Sequence, residues 1–157
     1  MKRIYIVILV LLIPSALCAS QRKDVLDEDQ KDFLETLMGD TWCFVNDTCD
    51  PVTGIPQNFQ NGSGGHTNST PVGLYIASLA AASQIGLIDE QVAERRFERL
   101  LASMEKLHQE HGFFPNFFPP DLSTIPRNGV MIISDYNIYP AGLIVARQRW
   151  PQYAKRI

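Results

Sequence analysis

The run Leu74-Tyr75-Ile76-Ala77-Ser78-Leu79-Ala80-Ala81-Ala82 is apolar nearly all the way round a helix. A helix without a polar face has to be covered on most sides. It belongs in the inner layer of a multi-helix fold. Pro71 suits its first turn and Gly86 its stop, so the run predicts a buried helix over 71–85.

Three further helices are predicted around it. Phe33, Leu34, Leu37, Met38, Trp42 and Val45 recur at spacings of three and four, which predicts a helix over 27–45 with one buried stripe. Asp89 caps a third helix over 89–111. Its Val92, Ala93, Phe97, Leu100, Leu101, Met104 and Leu107 mark one face, and Glu94, Arg95, Glu98, Arg99, Glu105 and Lys106 mark the other. That pattern is an amphipathic outer helix whose charges need only solvent. A fourth, buried helix is expected over 139–149, with Pro151 just beyond it, and Met131-Ile132-Ile133 reads as a short extended segment. Outer and buried helices thus take turns. The expected fold is all-α, a partial α/α toroid of about four helices with long loops at one end.

The N-terminus is a separate matter. Lys2 and Arg3, the apolar run Ile4–Ile13 and the small-residue exit Pro14–Ala19 form the tripartite export pattern. The apolar run is short for a membrane span. The expected organisation is a signal peptide over 1–19 and one domain over 20–157, with a periplasmic or secreted destination. Cleavage near Cys18 or Ala19 is the default, and Cys18 as a lipoprotein cysteine is the alternative.

A formal net charge of −3 without a basic stripe gives no reason to expect a nucleic-acid partner. Nothing calls for a membrane beyond export. Cys43 and Cys49 remain after processing. In an oxidising compartment they form either a short-loop disulfide or two partly buried thiols, and the sequence leaves both open. The three histidines, His66, His108 and His111, match no zinc motif. No Walker lysine follows the glycine-rich loop and no nucleophile elbow is present. No metal or other cofactor is expected.

Residues 46–69 are a long loop rich in Gly, Pro and Asn, and residues 113–129 are irregular and rich in Phe and Pro. Loops this long in a compact domain are often functional. Four blocks stand out: Thr41-Trp42 with Asp50-Pro51-Val52-Thr53-Gly54-Ile55-Pro56; Thr70-Pro71-Val72-Gly73-Leu74-Tyr75; Gly112-Phe113-Phe114-Pro115-Asn116-Phe117; and Ser134-Asp135-Tyr136-Asn137 leading into Ala141–Gln148. In order and spacing the segment from Phe33 to Tyr153 resembles the bacterial glucoamylase-like, DUF3131-type α/α-toroid proteins, which include relatives acting on β-glucans. Two departures accompany the resemblance. The family pattern has Asp, a small residue and Gly where this chain has Asp135-Tyr136-Asn137. The family's ring also closes with more than four helices, and an open ring leaves apolar faces uncovered at about 25 cal/mol per Å². A partner chain completing the ring is one way to cover them.

The resemblance implies a glycoside hydrolase-like activity, which usually needs two carboxylic groups flanking the scissile bond. Asp135 and Asp50 are the candidates, since each lies in a matching block at the loop end of a helix. Each has a plain structural alternative, a helix cap for Asp135 and a turn-initiating Asp-Pro for Asp50. Glu110 is a weaker third candidate. Sugars stack on aromatic rings, which makes Trp42, Phe113, Phe114 and Phe117 candidates for substrate binding, together with Asn116 and His66. The competing role for the phenylalanines, Phe118 included, is to plug the end of the helix bundle, and at least two of the four are expected to do so. The expected function is an exported protein acting on a glucan or other polysaccharide. The alternative is a non-catalytic carbohydrate-binding or assembly module, or a degenerate fragment of such an enzyme.

Overall fold

The computed structural model describes residues 26–58, 65–124 and 133–157. The expected signal peptide, Cys18, the tip of the glycine-rich loop and Met131-Ile132 lie outside them. The described elements are helices α1 (Glu28–Asp47), α2 (Ser69–Gln84), α3 (Glu90–Met104), α4 (Ile133–Tyr136) and α5 (Ile138–Arg149), followed by a 3-10 turn at Pro151–Tyr153. No strand occurs among the described residues, only isolated bridges such as Thr67 with Phe118. The chain divides into two compact units, with the boundary between Met38 and Gly39 inside α1.

In the first unit, Asp27 and Gln30 start α1 with a reciprocal cap. The Gln30 backbone N–H donates to Asp27 Oδ1 at 2.9 Å, and the Asp27 N–H donates to Gln30 Oε1 at 3.2 Å. The expected buried stripe is found only in part: Trp42 and Val45, past this unit, are half-buried against the core, and the stripe residues before them are exposed. Phe33 is 66 % exposed and Leu37 49 %, Leu34 and Met38 are exposed as well, and no residue of α1 is buried. Spacing identified an apolar face, but a face is buried only where another element covers it.

The second unit is built on α2. Asn68 caps its start, and Gly86 at φ 79° turns the chain after it, with the Leu87 N–H returning to Ala82 O at 2.9 Å. Val72, Tyr75, Ile76, Leu79, Ala80 and Ala82 are buried, as expected of an inner helix, although Leu74 is exposed. Helix α2 packs on α5 through glycines. A Cβ placed on Gly73 would lie 2.2 Å from Ile138 O, and one on Gly142 would lie 2.4 Å from Gly73 O. Only the missing side chains let the two backbones approach so closely.

Helix α3 starts where the sequence places it. Asp89 Oδ1 accepts the Gln91 and Val92 N–H groups, and Phe97, Leu100, Leu101 and Met104 form the buried face. It ends at Met104 rather than His111. The chain then turns, Leu107 stays buried, and His111 (φ 52°) and Gly112 (φ 84°) form a two-residue reversal between Glu110 and Phe113, which exchange two backbone hydrogen bonds of 2.9 Å. An apolar residue in register continued the helical pattern past the point where the backbone leaves it. Ile133, expected in an extended segment, opens α4. Helix α5 is less buried than expected: Tyr139, Gly142 and Ala146 are inside, but Ile144 is 61 % exposed.

The C-terminal turn closes the core. Trp150 stacks on Phe97 with ring centroids 5.0 Å apart, and Tyr153 meets the Phe97 edge at 5.4 Å. The Trp150 indole N–H donates to Glu90 Oε1 at 2.8 Å, and Arg149 pairs with the same carboxylate. Ile55 reaches this core from a loop and is fully buried, a contribution of about 1.5–3 kcal/mol.

Candidate functional site

Three non-helical segments of the second unit, 48–58, 65–68 and 105–124, meet helix α4 at the C-terminal end of α1, the N-terminal ends of α2 and α5 and the C-terminal side of α3. Hydrogen bonds knit them. The Thr53 hydroxyl donates to Pro120 O at 2.7 Å. Thr67 and Phe118 exchange two backbone bonds of 2.9 and 3.0 Å. The Tyr136 hydroxyl donates to Gly112 O at 2.8 Å. Ring walls, turn residues and candidate carboxylates are all brought to this end.

Asp135 lies in α4. The Asn68 amide Nδ2 donates to Asp135 Oδ2 at 3.0 Å, and the Thr70 hydroxyl donates to Asp135 O at 3.1 Å. The residue at the cap position of α5 is Asn137, which makes no side-chain cap bond, so Asp135 does not occupy the cap of that helix. It is half-buried.

Asp50 is held differently. Its Oδ1 accepts the Val52 N–H (2.9 Å) and the Thr53 N–H (2.7 Å), and the Thr53 hydroxyl oxygen lies 3.0 Å away with its proton directed to Pro120 O. Those bonds are what a turn-initiating aspartate makes. Asp50 also lines a cleft of about 420 Å³, with Gln57, Pro119, Pro120, Asp121 and Ser123 around it. Hydrogen bonds from the Ser123 backbone and hydroxyl hold the exposed Asp121 carboxyl below the usual carboxylate range. Asp50 thus shares a cleft with Asp121, whereas Asp135 is bound to Asn68 and Thr70. Glu110 is exposed beside the reversal at His111-Gly112.

The aromatic residues separate into two groups. Phe114 and Phe118 are 4 % and 1 % exposed and plug the end of the bundle, in line with the expectation for two of the four. Phe117 is 48 % exposed, and Phe113 is half-buried against Tyr136 with centroids 4.7 Å apart. Phe114 meets Tyr139 edge-on at 5.2 Å and Tyr136 at 5.9 Å, which makes a four-ring cluster directly beside Asp135 in sequence. Asn116 is half-buried and His66 exposed. Trp42 stacks on Tyr75 at 6.5 Å and carries the Arg96 guanidinium 5.8 Å from its ring centroid. These contacts use its ring to anchor the end of α1 on α2 and α3.

Cys43 and Cys49 are both free, Cys43 exposed and Cys49 half-buried. The Cys49 thiol donates to Val45 O at 3.3 Å, and burial pushes its pKa up to about 11. Burial pushes the Tyr75 hydroxyl up as well, reinforced by its neighbour Cys49. No group of three His, Cys, Asp or Glu side chains suited to a metal occurs among the described residues.

Sequence reasoning missed Asn68 as the partner of Asp135, and Tyr136 and Tyr139 as members of the aromatic cluster. Asn68 had a local signal. An Asn three residues before a Pro, ahead of an apolar run, is a helix-start pattern.

Residues 39–127 match the profile of a family described as a protein of unknown function, DUF3131. No curated protein matches the chain. Two solved structures share its fold. A proposed glucoamylase of Bacteroides fragilis aligns at a TM-score of 0.70 and 16% identity, over 87% of this chain and 36% of the other. A proposed glucoamylase of Bacteroides caccae aligns at 0.55 and 17% identity, over 80% and 38%. The chain therefore spans little more than a third of either relative, and its fold is that of part of a glucoamylase-like α/α toroid.

Proposed function

Because the chain belongs to the DUF3131 family, whose activity is unassigned, we propose from its site that it is an exported carbohydrate-active module acting on a glucan or other polysaccharide by carboxylate acid–base chemistry. The observation that carries this reading is the setting of Asp135. A half-buried carboxylate, held by Asn68, is next in sequence to Tyr136 of the aromatic cluster, in a fold shared with two proposed glucoamylases. The basic start, apolar run and small-residue exit over residues 1–19 support export to the periplasm or beyond.

In this reading Asp135 acts as the general acid or base at the glycosidic oxygen or the attacking water. Asp50 is the second carboxylate. Exposed Phe117 and half-exposed Phe113 offer rings to the apolar C–H face of a sugar, and Asn116 and His66 reach its hydroxyls. General acid–base assistance is typically worth about 10²–10⁴-fold in rate. Asp135→Asn therefore lowers turnover by that factor, with the melting temperature and ligand affinity nearly unchanged. A reducing-sugar assay on a panel of polysaccharides, run on both forms beside thermal melts, is the test. Equal activity in the two removes Asp135 from the chemistry.

A second reading is a non-catalytic binding or assembly module. It is favoured by the engagement of Asp50 Oδ1 with its own turn, which accounts for that residue without catalysis. An inactive, folded protein that binds a polysaccharide would select it.

A further inference from the structure

We infer that Asn68 is the positioning residue of this site, setting the direction in which the Asp135 carboxylate presents its reactive oxygen. This inference rests on the reading of Asp135 as the acid or base. Its first support is the orientation of the Asn68 amide. The Thr70 backbone N–H points at one end of that amide from 3.0 Å. A backbone N–H can only donate, so the atom it meets is the carbonyl oxygen. The other end is then the NH₂ group, and it donates to Asp135 Oδ2 at 3.0 Å. The helix cap thus determines which way the amide faces. It commits Oδ2 to an acceptor role toward Asn68 and so constrains how the carboxylate is turned.

The second support is rigidity. Asn68 is 8 % exposed and lies between fully buried Thr67 and buried Ser69. On one side the two backbone bonds of Thr67 with Phe118 hold the chain, and on the other α2 begins. The first turn of α2 also grips the backbone of Asp135, through the Thr70 hydroxyl to Asp135 O at 3.1 Å. Side chain and main chain of the carboxylate residue are therefore referenced to one helix end. A reacting group has to be held by neighbours that are themselves locked.

Asn68→Ser separates capping from positioning. Serine caps a helix about as well as asparagine, but it has no second polar end to reach Asp135. Thr70→Val removes the other grip. In side-chain amide NMR spectra of the full chain, the Asn68 NH₂ signals should shift when Asp135 is replaced by Ala. With a polysaccharide that the wild type hydrolyses, Asn68→Ser should lower kcat about 10- to 100-fold, with KM and melting temperature close to wild type. Asn68→Asp, which keeps the cap and sets oxygen against oxygen, should lose at least as much.

Asn68 amide signals indifferent to Asp135 overturn the pairing, whatever the activity. An unchanged kcat in Asn68→Ser overturns the positioning role, as does a loss of kcat that only tracks a loss of melting temperature. A wild type inactive on every polysaccharide, with the amide response present, refutes the hydrolase reading and the positioning role with it, while the pairing itself stands.

Discussion

Replacing Gly73 with alanine puts a methyl group where two helix backbones already touch. The new Cβ would sit 2.2 Å from Ile138 O, 2.5 Å from Ile138 C and 2.7 Å from Tyr139 Cα. Carbon atoms settle at about 3.5–4.0 Å, so α5 has to retreat by about 1 Å, and no flexible side chain is there to absorb the shift. Overpacking of this kind costs about 1–3 kcal/mol and at times more. Alanine returns up to about 1 kcal/mol through its better helix propensity. The expected net loss is roughly 2 kcal/mol, a fall in melting temperature of roughly 5–10 °C for a chain of this size. Gly142→Ala strikes the same crossing from the other side, with Gly73 O 2.4 Å away, and should cost a similar amount. The double variant should cost less than the sum, because one separation of the helices relieves both clashes. Gly39 supplies the control. It is helical and its Cβ would meet nothing within 4 Å, so Gly39→Ala should gain up to about 1 kcal/mol. Urea unfolding followed by circular dichroism gives the order Gly39→Ala, wild type, then the other two. A Gly73→Ala protein as stable as wild type would refute the close-crossing argument.

Gly112→Ala should destabilise the protein by about 1 kcal/mol, because φ 84° puts a side chain in the left-handed region; an unchanged urea midpoint would count against the reversal at His111-Gly112. Cys49 keeps its proton to about pH 11 when folded and to about 9.0 when unfolded, owing first to burial. Between those values the unfolded chain binds fewer protons, so this contribution is fully present below pH 9 and is lost as pH rises toward 11. The wild type should therefore lose on the order of 2 kcal/mol more than Cys49→Ala between pH 8 and 11, and equal slopes would reject the buried-thiol account. On the same grounds a thiol reagent at pH 8 should label exposed Cys43 well before Cys49.

Periodicity made the helices legible, and caps made some of their ends legible. Helix α3 shows both, with Asp89 at its start and Phe97, Leu100, Leu101 and Met104 on one face. It also shows the limit, since Leu107 extends the apolar register beyond the last helical residue. Helix α1 shows another limit. Phe33 and Leu37 are spaced like a core stripe, yet spacing carries no information about which element covers them. Asp135 was legible as a residue at a loop end, but its partner was not. Asn68 is 67 positions away, and no local pattern links the two. Among the phenylalanines, Phe114 and Phe118 point inward while Phe117 does not, and an irregular segment has no period from which to read that.

The bonds that join the loop end of the second unit also have a kinetic consequence. Thr53 to Pro120 and Asn68 to Asp135 each close 67 positions of chain, and Thr70 to Asp135 closes 65. Closing a flexible loop of that length costs about 4 kcal/mol in the length-dependent term alone, and a single hydrogen bond returns about 1 kcal/mol. The α2–α5 crossing has to form before these bonds are favourable. Thr53→Val should thus leave the refolding rate unchanged and speed unfolding, whereas Gly73→Ala should slow refolding. The region assigned to chemistry would assemble last and open first, so warming should silence it before the helical signal falls.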